Sequence, residues 1–208
     1  LLFLHGWCIN QTYWEQQVKF LQSDNQVITM DLPGFGQSGK NKTSWSIEAF
    51  GEDVNAIIDQ LELTNVILIG HSMSGDVALE TAIKNNNVVA VIGIDNFKDV
   101  GVVNDQAVKN EIDAFMQMLK SNFSVIAPAY AEGALFTSST HSLVKLRVMS
   151  DFENSDSIAA IGSLEALISY GEIESRKLQN LNKKLYLINS NASPTLRSGL
   201  DATGVDYQ

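Results

Sequence analysis

The chain holds a single cysteine, Cys8, in 208 residues. One thiol cannot form an internal disulfide, so a small domain stapled by disulfides is excluded. Long apolar runs are also missing: none approaches the roughly 20 residues that a membrane-spanning helix needs. Basic residues are few, 14 Lys and Arg against 24 Asp and Glu for a net charge of −10. They gather nowhere into a patch able to track phosphates, which argues against a nucleic-acid partner. Histidine is scarcer still, with only His5, His71 and His141. Internal repeats and low-complexity segments are absent. The 45% hydrophobic content that is present suffices for a substantial core with no disulfide or metal staple.

The apolar residues fall into two periods. Residues 1–4, 27–30, 66–69, 88–94 and 184–189 are near-continuously apolar, the pattern of strands covered on both faces. Between them lie helical stripes. Trp14, Val18 and Leu21 share one face of residues 10–22, and Ile47, Phe50, Val54, Ile57, Ile58 and Leu61 share one face of residues 47–61, with Ser46 as N-cap. Strand alternating with helix predicts an α/β fold, a mostly parallel sheet with flanking helices joined by right-handed crossovers. From 97 to 183 the pattern turns helical, with stripes at Val108, Ile112, Phe115 and Leu119 and at Ile158, Ile161, Leu164 and Leu167. The chain therefore divides into a first core segment 1–96, a helical insertion 97–183 and a second core segment 184–208.

Chemistry concentrates at Gly70-His71-Ser72-Met73-Ser74-Gly75, between a strand pattern and a helix pattern. A strand, a sharp turn and a helix with serine at the apex lift the hydroxyl clear of the sheet, which makes Ser72 a candidate nucleophile; a plain glycine turn is the alternative. The string departs from Gly-x-Ser-x-Gly at Ser74, where a hydroxymethyl group adds little bulk, and its second glycine arrives one residue later. Upstream, the strand at 1–4 runs into His5-Gly6-Trp7. Acyl transfer through serine places negative charge on the carbonyl oxygen, and two backbone donors must face it. The amides of Trp7 and Met73 are the candidates. A third strand-then-loop unit runs through Asp31-Leu32-Pro33-Gly34-Phe35-Gly36-Gln37-Ser38.

On these three motifs the sequence resembles the α/β-hydrolase superfamily along nearly its whole length, and within it the small carboxylesterases. The resemblance implies a helical cap insertion over the nucleophile, a site that also uses His5, Gly6 and His71 for substrate binding, and no metal or cofactor. Met116, Met118, Phe123 and Tyr130 then either line an apolar acyl pocket or pack the insertion on the core. It also implies the chain order serine, acid, histidine. His5 belongs to the oxyanion loop, His71 precedes the nucleophile and His141 falls in the insertion, so the base is expected beyond Gln208. The sequence reads as a piece lacking both ends.

The acid has two readings. The loop after residue 188, where the family places it, contains Asn191 and no carboxylate, whereas Asp95 follows the strand next to the nucleophile helix and is either the triad acid or a turn cap. Asp201 is expected on an exposed helix. Two classes of function follow: a serine hydrolase of small esters, thioesters or amides working through Ser72, or a hydrolase-like small-molecule binding or signalling protein that has lost turnover.

Overall fold

A computed structural model describes all 208 residues. Five strands, β1 (Leu2–Leu4), β2 (Ile28–Met30), β3 (Val66–His71), β4 (Val88–Ile94) and β5 (Lys184–Ile188), form one sheet in the order β2-β1-β3-β4-β5. Every pairing is parallel. Parallel neighbours need long crossovers, and helices supply them. A 3-10 turn (Gln11–Trp14) and α1 (Glu15–Leu21) join β1 to β2, α2 (Ile47–Gln60) leads into β3, and α3 (Met73–Lys84) joins β3 to β4. Ser46 caps α2, its hydroxyl accepting from the Ala49 amide at 3.1 Å.

The strand order reverses between β1 and β3. Such a switch point, between the loops leaving the two carboxyl ends, is the usual ligand position in sheets of this kind. Those two loops are the His5-Gly6-Trp7 and Ser72-Met73 segments.

One face of the sheet carries most of the apolar core, including Leu2, Leu4, Phe50, Val54, Leu68, Val77 and Leu79. The opposite face buries only Phe3, Trp14 and Ile69, helped by Val18 and Leu21 of α1. The expectation of strands covered on both faces therefore holds at β1 and β3 and fails at the far edge, where Ile188 is 61% exposed. The cover on that face comes from Trp14 of the 3-10 turn with Val18 and Leu21 of α1, packed on Phe3 of β1 and Ile69 of β3. The last residues extend the sheet: Leu185 N–H donates to Asp206 O at 3.0 Å and Leu187 N–H to Gln208 O at 2.9 Å, giving a parallel bridge between Leu185 and Tyr207.

Between β4 and β5 lie α4 (Gln106–Ser121), α5 (Phe123–Ala134), α6 (Ser142–Asn154), α7 (Ser157–Gly171) and α8 (Glu174–Leu178), with no strand; α9 (Arg197–Thr203) follows β5 and carries Asp201 exposed. α5 packs along α6 and α4, while α7 reaches α2 and α8 rests on α3. The last of these helices thus join the core layer. Two stripes are shorter than their spacing predicts: Val108 and Ile158, at their amino-terminal ends, are exposed. Met116 and Phe123 are buried in the main core, whereas Met118 faces solvent.

Candidate active site

Ser72 stands between β3 and α3 with φ +52° and ψ −124°, a backbone conformation that a residue with a Cβ adopts only under constraint. Its amide donates to Ile94 O at 2.9 Å. Sharpness of the turn depends on two glycines. A Cβ on Gly70 would overlap the Ser74 carbonyl, and one on Gly75 would overlap the side chain of Asn96. The second glycine stands at 75 and not 74 because the crowding neighbour, Asn96, presses there. The Ser72 carbonyl accepts from Gly75 N–H at 2.8 Å and from Asn96 Nδ2 at 2.7 Å. No protein group hydrogen-bonds the Ser72 hydroxyl.

Ser74 is more than a tolerated substitute for glycine. Fully buried, its hydroxyl donates to the carbonyl of His5, which ties the start of α3 to the loop after β1. His5 is itself fully buried. The Leu32 amide donates to its Nε2 at 3.0 Å, so the ring proton sits on Nδ1, 2.8 Å from the Gly6 carbonyl. Burial holds His5 far below the usual imidazole range, at about 4, against a smaller upward pull from its bond to Gly6 and from Asp31. With both nitrogens engaged, His5 holds the loop after β1 against the segment at Leu32. Gly6 leaves room for the ring of His71: a Cβ there would lie 2.6 Å from His71 Nδ1. His71 packs edge-on to Trp14, and burial lowers its pKa.

The Trp7 amide finds no acceptor within the protein, and Met73 opens α3, where first-turn amides lack intrahelical partners. The Trp7 side chain points into the helices between β4 and β5. Its Nε1 donates to Ala160 O at 2.8 Å, and its ring meets Phe152, Tyr130 and Phe123 edge-to-face. Cys8, which follows at φ +60°, is buried, and burial pushes its thiol up, away from a reactive thiolate. Asp31, 6% exposed, organises the neighbouring loops by accepting from Gln11 N–H at 2.8 Å and Gln37 N–H at 2.9 Å.

The titratable groups divide by place. Asp95 follows β4 with φ +54° and pairs with Lys98 at 2.6 Å. His141 caps α6 on the surface, its Nδ1 accepting from Leu143 N–H at 3.2 Å. Asn191 is exposed. The amide at work in that loop is Asn189: its Oδ1 accepts from Asn96 N–H at 3.0 Å and its Nδ2 donates to Asn96 O at 2.9 Å. Behind the turn, Asp76 and Glu80 of α3 are buried against α7 and α8. Tyr170 donates to Glu80 at 2.9 Å, and Lys177 pairs with the same carboxylate. Asp76 has no cation; burial first, then the neighbouring Glu174 carboxyl, drives its pKa well up. No group of three His, Cys, Asp or Glu is arranged to hold a metal ion.

Asn96, Asn189 and Asp76 escape sequence reading, because polar residues beside a turn carry no period. The one available signal was the displaced glycine at 75.

Residues 1–196 match the family model described as alpha/beta hydrolase fold. The AB hydrolase superfamily protein YisY of Bacillus subtilis (strain 168) is 38% identical over 80 residues, 38% of this chain and 30% of that relative. The match thus spans less than a third of that curated relative's length. Among solved structures, a hydrolase from Oleispira antarctica superposes with a TM-score of 0.85 at 20% identity over 100% of this chain and 80% of the other. An esterase from Exiguobacterium antarcticum gives 0.80 at 22%, over 100% and 81%. At such identities the structural likeness is one of fold. Taken with the parallel sheet and the strained serine turn at its switch point, the family match places this chain in the alpha/beta hydrolase family.

Proposed function

We propose that the protein is a serine hydrolase of small carboxylic esters, thioesters or amides. Ser72 Oγ attacks the substrate carbonyl carbon as its proton passes to a base. The amides of Trp7 and Met73 hold the resulting oxyanion, and the leaving group departs with a proton. Water then attacks the acyl-serine, releasing the acid and restoring the hydroxyl. The reaction as written uses only protein groups and water. Helices α4–α7 form a cap that excludes water, within an insertion at 97–183 between core segments 1–96 and 184–208. Gly6 and His71 line the floor of the substrate site, and Asp95 is the acid that orients the base.

One observation carries this reading: the Ser74–His5 hydrogen bond joins the turn at Ser72 to the loop after β1, tethering the two segments that carry the Trp7 and Met73 amides beside a serine hydroxyl with no protein partner. A fluorophosphonate probe tests it. The full-length protein labels at Ser72 and Ser72→Ala does not; equal labelling of the alanine variant overturns the assignment. Residues 1–208 alone are expected to turn over p-nitrophenyl esters well below the ordinary range of about 1–1,000 per second, since no imidazole reaches Ser72.

That same free hydroxyl supports a second reading, a binding or signalling protein that keeps the pocket without turnover. A full-length protein that binds small esters, leaves them intact and resists the probe would establish it.

A further inference from the structure

We propose that Asn96 is a positioning residue for the oxyanion-binding amide of Met73. The inference rests on the reading of Ser72 as nucleophile, and it concerns a side chain that stands apart from the expected triad.

The Ser72 carbonyl and the Met73 N–H belong to one planar peptide unit, with the two groups pointing opposite ways. Whatever holds the carbonyl therefore aims the amide. Two donors hold it. The Gly75 amide at 2.8 Å belongs to the first turn of α3 and would be supplied by any sequence in that turn. Asn96 Nδ2, at 2.7 Å, comes from the end of a different strand. A bond accepted at the carbonyl also polarises the peptide and strengthens its N–H as a donor. Orientation and donor strength at Met73 both depend on this amide.

Asn96 is in turn held more firmly than packing requires. It is 8% exposed. Asn189 grips its backbone on both sides, accepting from its N–H and donating to its carbonyl, and Asn189 Nδ2 also reaches Thr195 Oγ1 at 2.7 Å. The flanking residues Asp95 and Phe97 take φ of +54° and +53°, unfavourable for side chains of their kind, each costing on the order of 1–3 kcal/mol. Asn96 Oδ1 is buried with no donor, a further cost. Strain on both sides and a half-satisfied amide are hard to account for by stability. They fit a residue kept for where it places its Nδ2. Gly75 is the complementary concession, since any side chain there would collide with this amide.

Replacing Asn96 by Asp keeps the shape and converts the donor into an acceptor unless the new carboxyl is protonated. The side chain of Asn96 also meets the Asp76 carboxyl on α3, which is itself bonded to Glu174 on α8, with Asp95 paired to Lys98 alongside. The acidic surroundings keep a proton on the introduced carboxyl to higher pH than in water. The test is the rate of fluorophosphonate labelling at Ser72 in the full-length protein between pH 5 and 8, taken as the ratio of variant to unsubstituted protein at each pH. This ratio cancels titration of the base. Asn96→Asp is expected to label about tenfold or more slowly at pH 8, less than the roughly 100- to 1,000-fold loss of a whole oxyanion donor, and to recover toward unity as pH falls. Asn96→Leu is expected to stay slow at every pH. A ratio near one at pH 8, or the same flat ratio for both variants, overturns the proposal. Should Asn96→Asp not fold, Asn189→Ala takes its place: it frees the Asn96 backbone and is expected to slow labelling several-fold, and an unchanged rate overturns the proposal. Absence of labelling in the unsubstituted protein overturns the nucleophile reading and this inference with it.

Discussion

Trp7 Nε1 donates to the carbonyl of Ala160 across 2.8 Å, joining residues 153 positions apart in the chain. The bond fastens the loop after β1 to α7 while the ring lies against α5 and α6, so one side chain holds three helices to the loop whose amide is the candidate oxyanion donor. Trp7→Phe keeps an aromatic ring but leaves the Ala160 carbonyl without this donor, at an expected cost of about 1–2 kcal/mol. Trp7→Ala also loses the packing, and about 3–5 kcal/mol is expected. Urea unfolding of both variants measures the difference.

Ser72 is under backbone strain, which predicts that removing its side chain helps stability and ruins chemistry. Ser72→Gly relieves about 1–3 kcal/mol of strain and costs a few tenths to 1 kcal/mol in unfolded-chain entropy. A net gain of about 1 kcal/mol in urea unfolding, with complete loss of phosphonate labelling, is the expected pair of results.

At position 74 the expectation runs against simple pattern matching. Ser74→Ala strips the buried His5 carbonyl of its donor and should destabilise by about 1–3 kcal/mol. If stability and labelling rate were both unchanged, the bond between the two loops would have no bearing on the site.

Two buried groups give opposite pH slopes. The unfolded chain takes up a proton at His5 below about 6.5, whereas the folded protein resists down to about 4. The His5 contribution is therefore whole above pH 6.5 and lost as pH falls from there through 4, roughly 3 kcal/mol in all. Asp76 works the other way: the folded state keeps its proton where the unfolded chain has released it, so stability falls as pH rises above the ordinary carboxyl range. Asp76→Asn should raise the melting temperature most at pH 8 and least near pH 4, read by thermal scans across that range.

The acid is tested by comparing two loops. Asp95→Asn in the full-length protein should lower kcat by orders of magnitude if its carboxylate supports the imidazolium formed in the transition state, and Asn191→Ala, at an exposed position, should change little. The reverse ranking would return the acid's place to the loop after β5.

Sequence alone determined the parallel strands, the Ser46 cap and the turn at Ser72, because each is written in residues a few positions apart: apolar runs for strands, a hydroxyl before an apolar stripe, glycines beside a serine. It could not show that Ile158 faces solvent while sharing a stripe with half-buried Leu164, since a helical period names a face and not what covers it. Nor could it choose Asn189 over Asn191. Both are polar residues of one loop, and only the approach of β4 and β5, paired Ile94 to Ile188, brings the first against Asn96. The tertiary structure alone decided the Asn96 bond to Ser72, the burial of Asp76 and the anchoring of Trp7, because hydrogen bonds between residues 24, 93 or 153 positions apart leave no period in the chain and arise only where the sheet gathers its loops at one edge.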